Sequence, residues 1–149
     1  MRRFRYAFNA VSTSRTICLG ERDETAYELV APDCPGLGAT GPKGVLAFHR
    51  DRRTAFPDQR YEIVDLVVDG DRVAVRWRGT GTQRGWFGPV PPTGNKVDYQ
   101  GVTWLRFDAN GCLADAWSVN ELHEVLEQLG VDFRPPAAVP DDVGGVWEP

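Results

Sequence analysis

The chain has 149 residues, 42% of them hydrophobic and 26% charged, with a net charge of −4. That is enough for one domain with its own core, and the balance excludes both disorder and a membrane-embedded protein. The basic residues are scattered among a larger number of acids, so no basic face for nucleic acid is expected, and no membrane partner either.

In chain order, residues 1–22 form an atypical N-terminal segment. Phe4, Tyr6 and Phe8 precede a Ser/Thr-rich stretch, and the basic residues there lack the continuous apolar run of a secretory signal. Cys18, Cys34 and Cys112 are widely spaced, with no Cys/His cluster. Reduced thiols in the cytoplasm are the expected reading, with no metal site. The run DETAYELVAPD from Asp23 predicts a helix with acids at its start, apolar Ala26, Leu29 and Val30, and Pro32 as its stop. Cys34 to Pro42 reads as a loop. GPKGVLAFHRDRRTAFPD then predicts a second helix, with Pro42 near its start and Val45, Leu46, His49 and Arg53 three or four residues apart. It ends before Pro57.

From Tyr61 to Val119, four runs of alternating, β-branched and aromatic residues are separated by turn signals at Asp69-Gly70-Asp71, Gly88 to Gly94, and Asn110-Gly111. This pattern predicts an antiparallel meander. Val73, Val75 and Trp77 share one face; Ala74, Arg76 and Arg78 share the other. Tyr99 and Phe107 fall on one parity and Trp104 on the opposite one, so both faces carry bulky residues. Helices are expected over one face and a partner subunit over the other. NELHEVLEQLG predicts a last helix, with Asn120 as N-cap, Leu122, Val125, Leu126 and Leu129 as the apolar stripe, and Gly130 as stop. Residues 131–149 read as an extended Pro/Gly-rich tail, whose Trp147 either docks on the body or stays free.

The stretch from Gly41 through Gly85, and its continuation WFGPVPPTGNKVDYQGVTWLRFDANGCLADAWSVNELHEVLEQLG, resembles the SnoaL-like polyketide cyclase (ester cyclase) family of the NTF2-like superfamily. The most specific pieces are AFPD before a strand, GDRVAVRW followed by GT, the PPTG loop, and RF-x-x-NG leading into AW and LEQLG. The resemblance covers about Asp23 to Gly130 of a single 1–149 domain. It implies an α+β fold: an NTF2-like cone with N-terminal helices packed on a strongly curved antiparallel sheet, and a C-terminal helix. It further implies a deep apolar pocket for a hydrophobic small-molecule substrate, a homodimer through the sheet, and chemistry that needs no cofactor.

In that family an acidic residue after the strand tryptophan serves as general acid and base, and the loop after the APD segment often carries a histidine. Here the loop reads CPGLGATG, and Ser118, Val119, Asn120 and Glu121 follow Trp117. Glu121 is the nearest match to the family acid, set against a plain helix-terminus role. Asp98 is the second acid candidate, set against a surface pair with an arginine. Trp86, Phe87, Trp104, Trp117 and Tyr99 are candidate walls of an aromatic pocket, set against ordinary core packing. Asn120 and Ser118 are candidate donors to a substrate oxygen, and Arg76 is a candidate for polarising a carbonyl. His49 reads as a surface histidine, and His123 as packed or exposed.

Two mechanisms stay open for a cyclase or isomerase that closes a ring in a polyketide-derived intermediate. One is acid/base aldol closure through Glu121 or Asp98. The other is a cycloaddition in which the pocket folds a reactive polyene and a polar group polarises it. A non-catalytic small-molecule binding protein of the same fold is the alternative.

Overall fold

The computed structural model describes residues 23–35 and 40–133. The expectations for residues 1–22, for Cys18, for Trp147 and for most of the tail lie outside the described residues. Three helices and one sheet make up the described fold: α1 (Asp23–Leu29), α2 (Gly41–Ala55), β1 (Arg60–Asp69), β2 (Arg72–Thr82), β3 (Lys96–Phe107), β4 (Leu113–Asn120) and α3 (Leu122–Gln128). The strands pair in chain order, each antiparallel to the next, as the turn signals require. A four-stranded curved sheet under helices is the α+β arrangement expected from the sequence.

Helix α2 starts at Gly41, whose φ of 70° suits a residue without Cβ, and Pro42 occupies its first turn. It ends at Ala55, because Pro57 cannot continue the ladder. Asp58 of the AFPD segment then ties the helix exit to the sheet. Its carboxylate accepts Thr82 N–H at 2.6 Å and Thr82 Oγ1 at 2.7 Å. Those two bonds hold the Asp58 carboxyl below the ordinary carboxylate range.

The pairing register assigns the faces of the sheet. Trp77 lies opposite Ile63 and Gly101, and Val75 lies opposite Leu66 and Thr103. A bulge at Val64 resets the parity of β1, so Tyr61, Ile63, Leu66 and Val68 all share the face of Trp77. This inner face is covered by helices. Val73, Val75, Leu105, Phe107 and Leu113 pack with Ala26 of α1, Val30 just after it, and Val45 and Leu46 of α2. A second cluster joins Ala55, Phe56, Val90, Val97 and Tyr99 to Val125 of α3 and to Leu129 at its C-cap. The buried core is therefore two clusters, and Trp77 touches both.

The loop between β2 and β3 is pegged from within. The Gln83 side chain is fully buried. Its Nε2 donates to the carbonyls of Gly85, Val90 and Pro91, and its Oε1 accepts Thr93 N–H and Thr93 Oγ1. Each polar atom of the amide thus has partners, which is the condition for burying it.

Three local expectations need correction. Asn120 is the last residue of β4, paired with Gly101, and Glu121 takes the N-cap position of α3. The strand runs one residue further because Glu121 N–H still bonds to Gln100 O at 3.0 Å. Leu122 is exposed, while Val125, Leu126 and Leu129 pack into the second cluster. His49 is buried at 7% exposure, because it lies four residues after Val45 and three after Leu46, on the face α2 presents to the sheet.

Candidate active site

Between the two core clusters, the inner face of the sheet holds a row of aromatic rings flanked by small and hydroxylic residues. The Tyr61 and Trp77 ring centroids are 5.3 Å apart at 86°, and those of Trp77 and Tyr99 are 5.6 Å apart at 89°. Edge-to-face geometry of this kind gains from the ring quadrupoles. Two glycines make room for the row. A Cβ at Gly101 would collide with the Trp77 indole, and one at Gly79 would press on both tyrosine rings.

Polar groups flank the row. Gln59 Nε2 donates to Tyr99 Oη at 2.8 Å, and the hydroxyls of Tyr61 and Tyr99 are 3.4 Å apart. Trp77 Nε1 donates to Thr103 Oγ1 at 2.9 Å, which is 3.0 Å from Ser118 Oγ. Asn120 follows on the same face of β4, partly exposed. Among the described residues its side-chain amide has no hydrogen-bond partner, so it is available to a ligand. None of the described inner-face residues of the four strands is an Asp, Glu, Lys or Arg.

On α2, His49 is buried. Burial, with the guanidinium charges of Arg53 and Arg52, pushes the pKa of His49 from 6.5 down to about 4. Its imidazole is therefore neutral at neutral pH.

The remaining candidates lie elsewhere. Asp98 and Arg76 are on the outer face. Asp98 is exposed and bonded to Arg78, with Nε to Oδ1 at 2.7 Å and a second contact from Nη2 to Oδ2. That pairing lowers the Asp98 pKa. Arg76 Nη2 donates to Gln100 Oε1 at 2.8 Å. Glu121 is exposed at the end of the sheet, where its Oε2 accepts Gln100 N–H at 2.7 Å. Trp104 and Trp117 are register partners on the outer face, 44% and 63% exposed. Trp86 is 65% exposed. Phe87 packs edge-on to Phe56 at 5.3 Å, with the Arg52 guanidinium 4.8 Å from its ring centre. Of the sequence-derived candidates, the inner face of the sheet gathers Tyr99, Ser118 and Asn120.

Thr103 and Tyr61 join the same face without having been singled out, although Thr103 shares the parity of Tyr99 along β3. A separate apolar cleft of about 570 Å³ lies between the Pro-rich loop and α3, lined by Pro89, Val90, Pro91, Leu126, Leu129 and Phe133 among others.

A helix-roofed sheet with an aromatic inner face matches known proteins at both levels. The family model of the SnoaL-like polyketide cyclases matches residues 23–129. The chain belongs to that family. Among solved structures, this SnoaL-like chain is similar to TsrD from Streptomyces laurentii, with a TM-score of 0.77 at 21% identity over 87% of this chain and 98% of that one. It is also similar to IdmH from Streptomyces antibioticus, a proposed polyketide cyclase, with a TM-score of 0.71 at 28% identity, covering 85% of this chain and 99% of IdmH. A proposed polyketide cyclase from Acidithiobacillus ferrooxidans gives a TM-score of 0.71 at 27% identity, covering 85% of this chain and 94% of that one. No curated protein matches the sequence. No described helix is long and apolar enough to cross a membrane.

Proposed function

We propose that this SnoaL-like protein is a cofactor-independent cyclase or isomerase of natural-product biosynthesis. It closes a ring in a hydrophobic polyketide-derived intermediate. The observation that carries this reading is the inner-face row Tyr61–Trp77–Tyr99 with Thr103, Ser118 and Asn120 beside it. Flat apolar walls hold a conjugated chain, while a few polar groups orient its oxygens.

The sheet's inner wall supplies no carboxylate, which favours closure by templating over acid/base aldol chemistry by Asp98 or Glu121. Holding the two reacting ends of a polyene in contact removes most of the entropic part of the barrier. Hydrogen bonds from Asn120 and the hydroxyls then polarise the reacting carbonyl. Such a closure forms new carbon–carbon bonds within one molecule and leaves the mass unchanged.

The outer face supports a homodimer through the sheet. Trp104, Trp117, Val102, Val119 and Val67 leave an exposed apolar patch there, larger in character than the scattered apolar residues of an ordinary surface. That Cys34 and Cys112 are thiols suits a cytoplasmic location.

The purified protein is to be incubated with extracts of linear polyketide intermediates and the mixture followed by mass spectrometry. A new species of unchanged mass and altered retention, absent when the protein is heat-denatured, is the expected result. Binding of the extract components without any conversion would sink the enzyme reading in favour of a carrier.

A further inference from the structure

The apolar cleft of about 570 Å³ between the Pro-rich loop and α3 takes no part in the reaction proposed above. Its buried lining residues, Val90 and Leu129, belong to the second core cluster. Its exposed ones include Pro89, Pro91 and Phe133. The cleft therefore opens at the surface and reaches down to that cluster.

Its walls are fixed, and most of its backbone donors are spent. Gln83 holds the Pro-rich loop from behind, through the carbonyls of Val90 and Pro91 and the two donors of Thr93. The N–H groups of Val90, Leu129, Gly130 and Val131 donate to the carbonyls of Phe87, Val125, Glu127 and Leu126. A cleft built this way suits an apolar occupant that asks for few hydrogen bonds.

The chain itself leads out of the cleft. Phe133 is both the last described residue and a lining residue, and residues 134–149 follow it as RPPAAVPDDVGGVWEP. In that stretch Trp147 is the one aromatic residue; the other apolar side chains are alanines, valines and prolines. Trp147 thus offers by far the largest apolar surface. As a flexible coil, residues 134–146 span on the order of 20 Å, so the indole is within reach of the cleft. Tethering at that length gives an effective concentration in the millimolar range, which half-fills a site of about millimolar affinity.

Charge adds to reach. The Arg84 guanidinium lies beside Gly94, next to the lining residue Thr93, and forms no ion pair among the described residues. Glu148 adjoins Trp147 in the tail. We infer that the C-terminal tail folds back on its own body, with the Trp147 indole in the cleft between Pro91 and Leu126 and Glu148 facing Arg84. An indole suits such an opening, since its apolar body meets the walls while its N–H stays at the wet rim. The docked tail shields the second cluster, and with it Tyr99, from solvent on the α3 side. This goes beyond the ring-closure reading and does not depend on it.

The full chain, labelled with nitrogen-15, is to be compared with Trp147→Ala by NMR. Loss of the indole should shift the amides of Val90, Thr93, Leu126, Gly130 and Val131 and leave those of Val67 and Val102 on the outer face in place. In the wild type the Trp147 indole N–H should show the same heteronuclear NOE as the strand amides. Pro91→Glu, which keeps the carbonyl bonded to Gln83 but charges the exposed rim, should lower that NOE to the value of a free chain end.

Cleft amides that are identical in wild type and Trp147→Ala would overturn the inference, as would shifts confined to the outer face. Cleft shifts that fade on dilution would assign the cleft to the tail of a second copy, and so overturn docking within one chain. The apolar dye 8-anilinonaphthalene-1-sulfonate is expected to perturb the cleft amides at a several-fold lower concentration in Trp147→Ala than in the wild type. Equal binding would mean a cleft open to small apolar ligands in both, and would also overturn it.

Discussion

The indole of Trp77 occupies the space that a side chain at Gly101 would need. The two residues are register partners on β2 and β3, so the ring crosses the neighbouring strand at its only bare position there. That crossing brings Trp77 Nε1 to Thr103 and places the ring at the centre of the aromatic row.

Gly101→Ala is expected to destabilise the fold by about 1–3 kcal/mol through overpacking, because the carbonyl of Val119 blocks retreat on the other side. Urea denaturation measures the loss. Binding of an aromatic ketone should weaken in parallel, since the central wall is displaced. Unchanged stability would mean that the indole has another place to go.

Gln83→Leu keeps the volume of the peg but leaves three carbonyls and two Thr93 donors without their partner. A loss of about 2–4 kcal/mol is expected from buried groups left unsatisfied. Limited proteolysis should then cut first within residues 86–94. A variant as stable and as resistant as the wild type would rule out the peg.

The lowered pKa of His49 makes stability depend on pH. Between its folded value of about 4 and the ordinary 6.5, the unfolded chain binds more protons than the folded one. Stability from this group is therefore complete above the unfolded value and falls as the pH drops through the window. The full loss is about 3 kcal/mol. His49→Phe should flatten that part of the pH–stability curve, and thermal melts between neutral pH and the acid limit would show it.

Asp98→Asn should leave turnover intact and change stability little, because the Arg78–Asp98 pair is exposed on the outer face. Ring closure assayed on the extracts of linear intermediates decides this. A loss of turnover with an intact fold would return Asp98 to the list of acids.

Trp117→Glu should convert the proposed dimer into monomers, since it sets a charge beside Trp104 and Val119 in the apolar outer patch. Sedimentation velocity reads the mass directly. A wild type that sediments as a monomer at high concentration would end the dimer proposal.

Local rules account for how much could be read in advance. Period-two alternation and the turn residues at Gly70, Pro91-Pro92-Thr93-Gly94 and Asn110-Gly111 were enough for the four strands and their order. Parity along β2 separated Val73, Val75 and Trp77 from Arg76 and Arg78. The resemblance of AFPD, PPTG and LEQLG to one family carried the fold class.

Parity states that Tyr99 and Trp104 lie on opposite faces, but not which face the helices cover. Trp104, Trp117 and Asp98 could therefore be held as site candidates until packing assigned them to the outside. His49 read as a surface residue because a histidine is polar, although its spacing from Val45 and Leu46 already put it on the buried face. No local signal marked Gln83, whose burial depends on a loop folding around it.

What the sequence determined alone was the set of elements and, away from the bulge at Val64 that resets β1, the side of a strand on which a residue falls, because those follow from backbone periodicity within a few residues. The tertiary structure decided which side is inside. Only the packing of α1, α2 and α3 on one face could do so, since the contacts between Val45 and the Val73 cluster, or between Phe56 and the Tyr99 cluster, join residues far apart in the chain. The same packing divided the core into two clusters that Trp77 bridges.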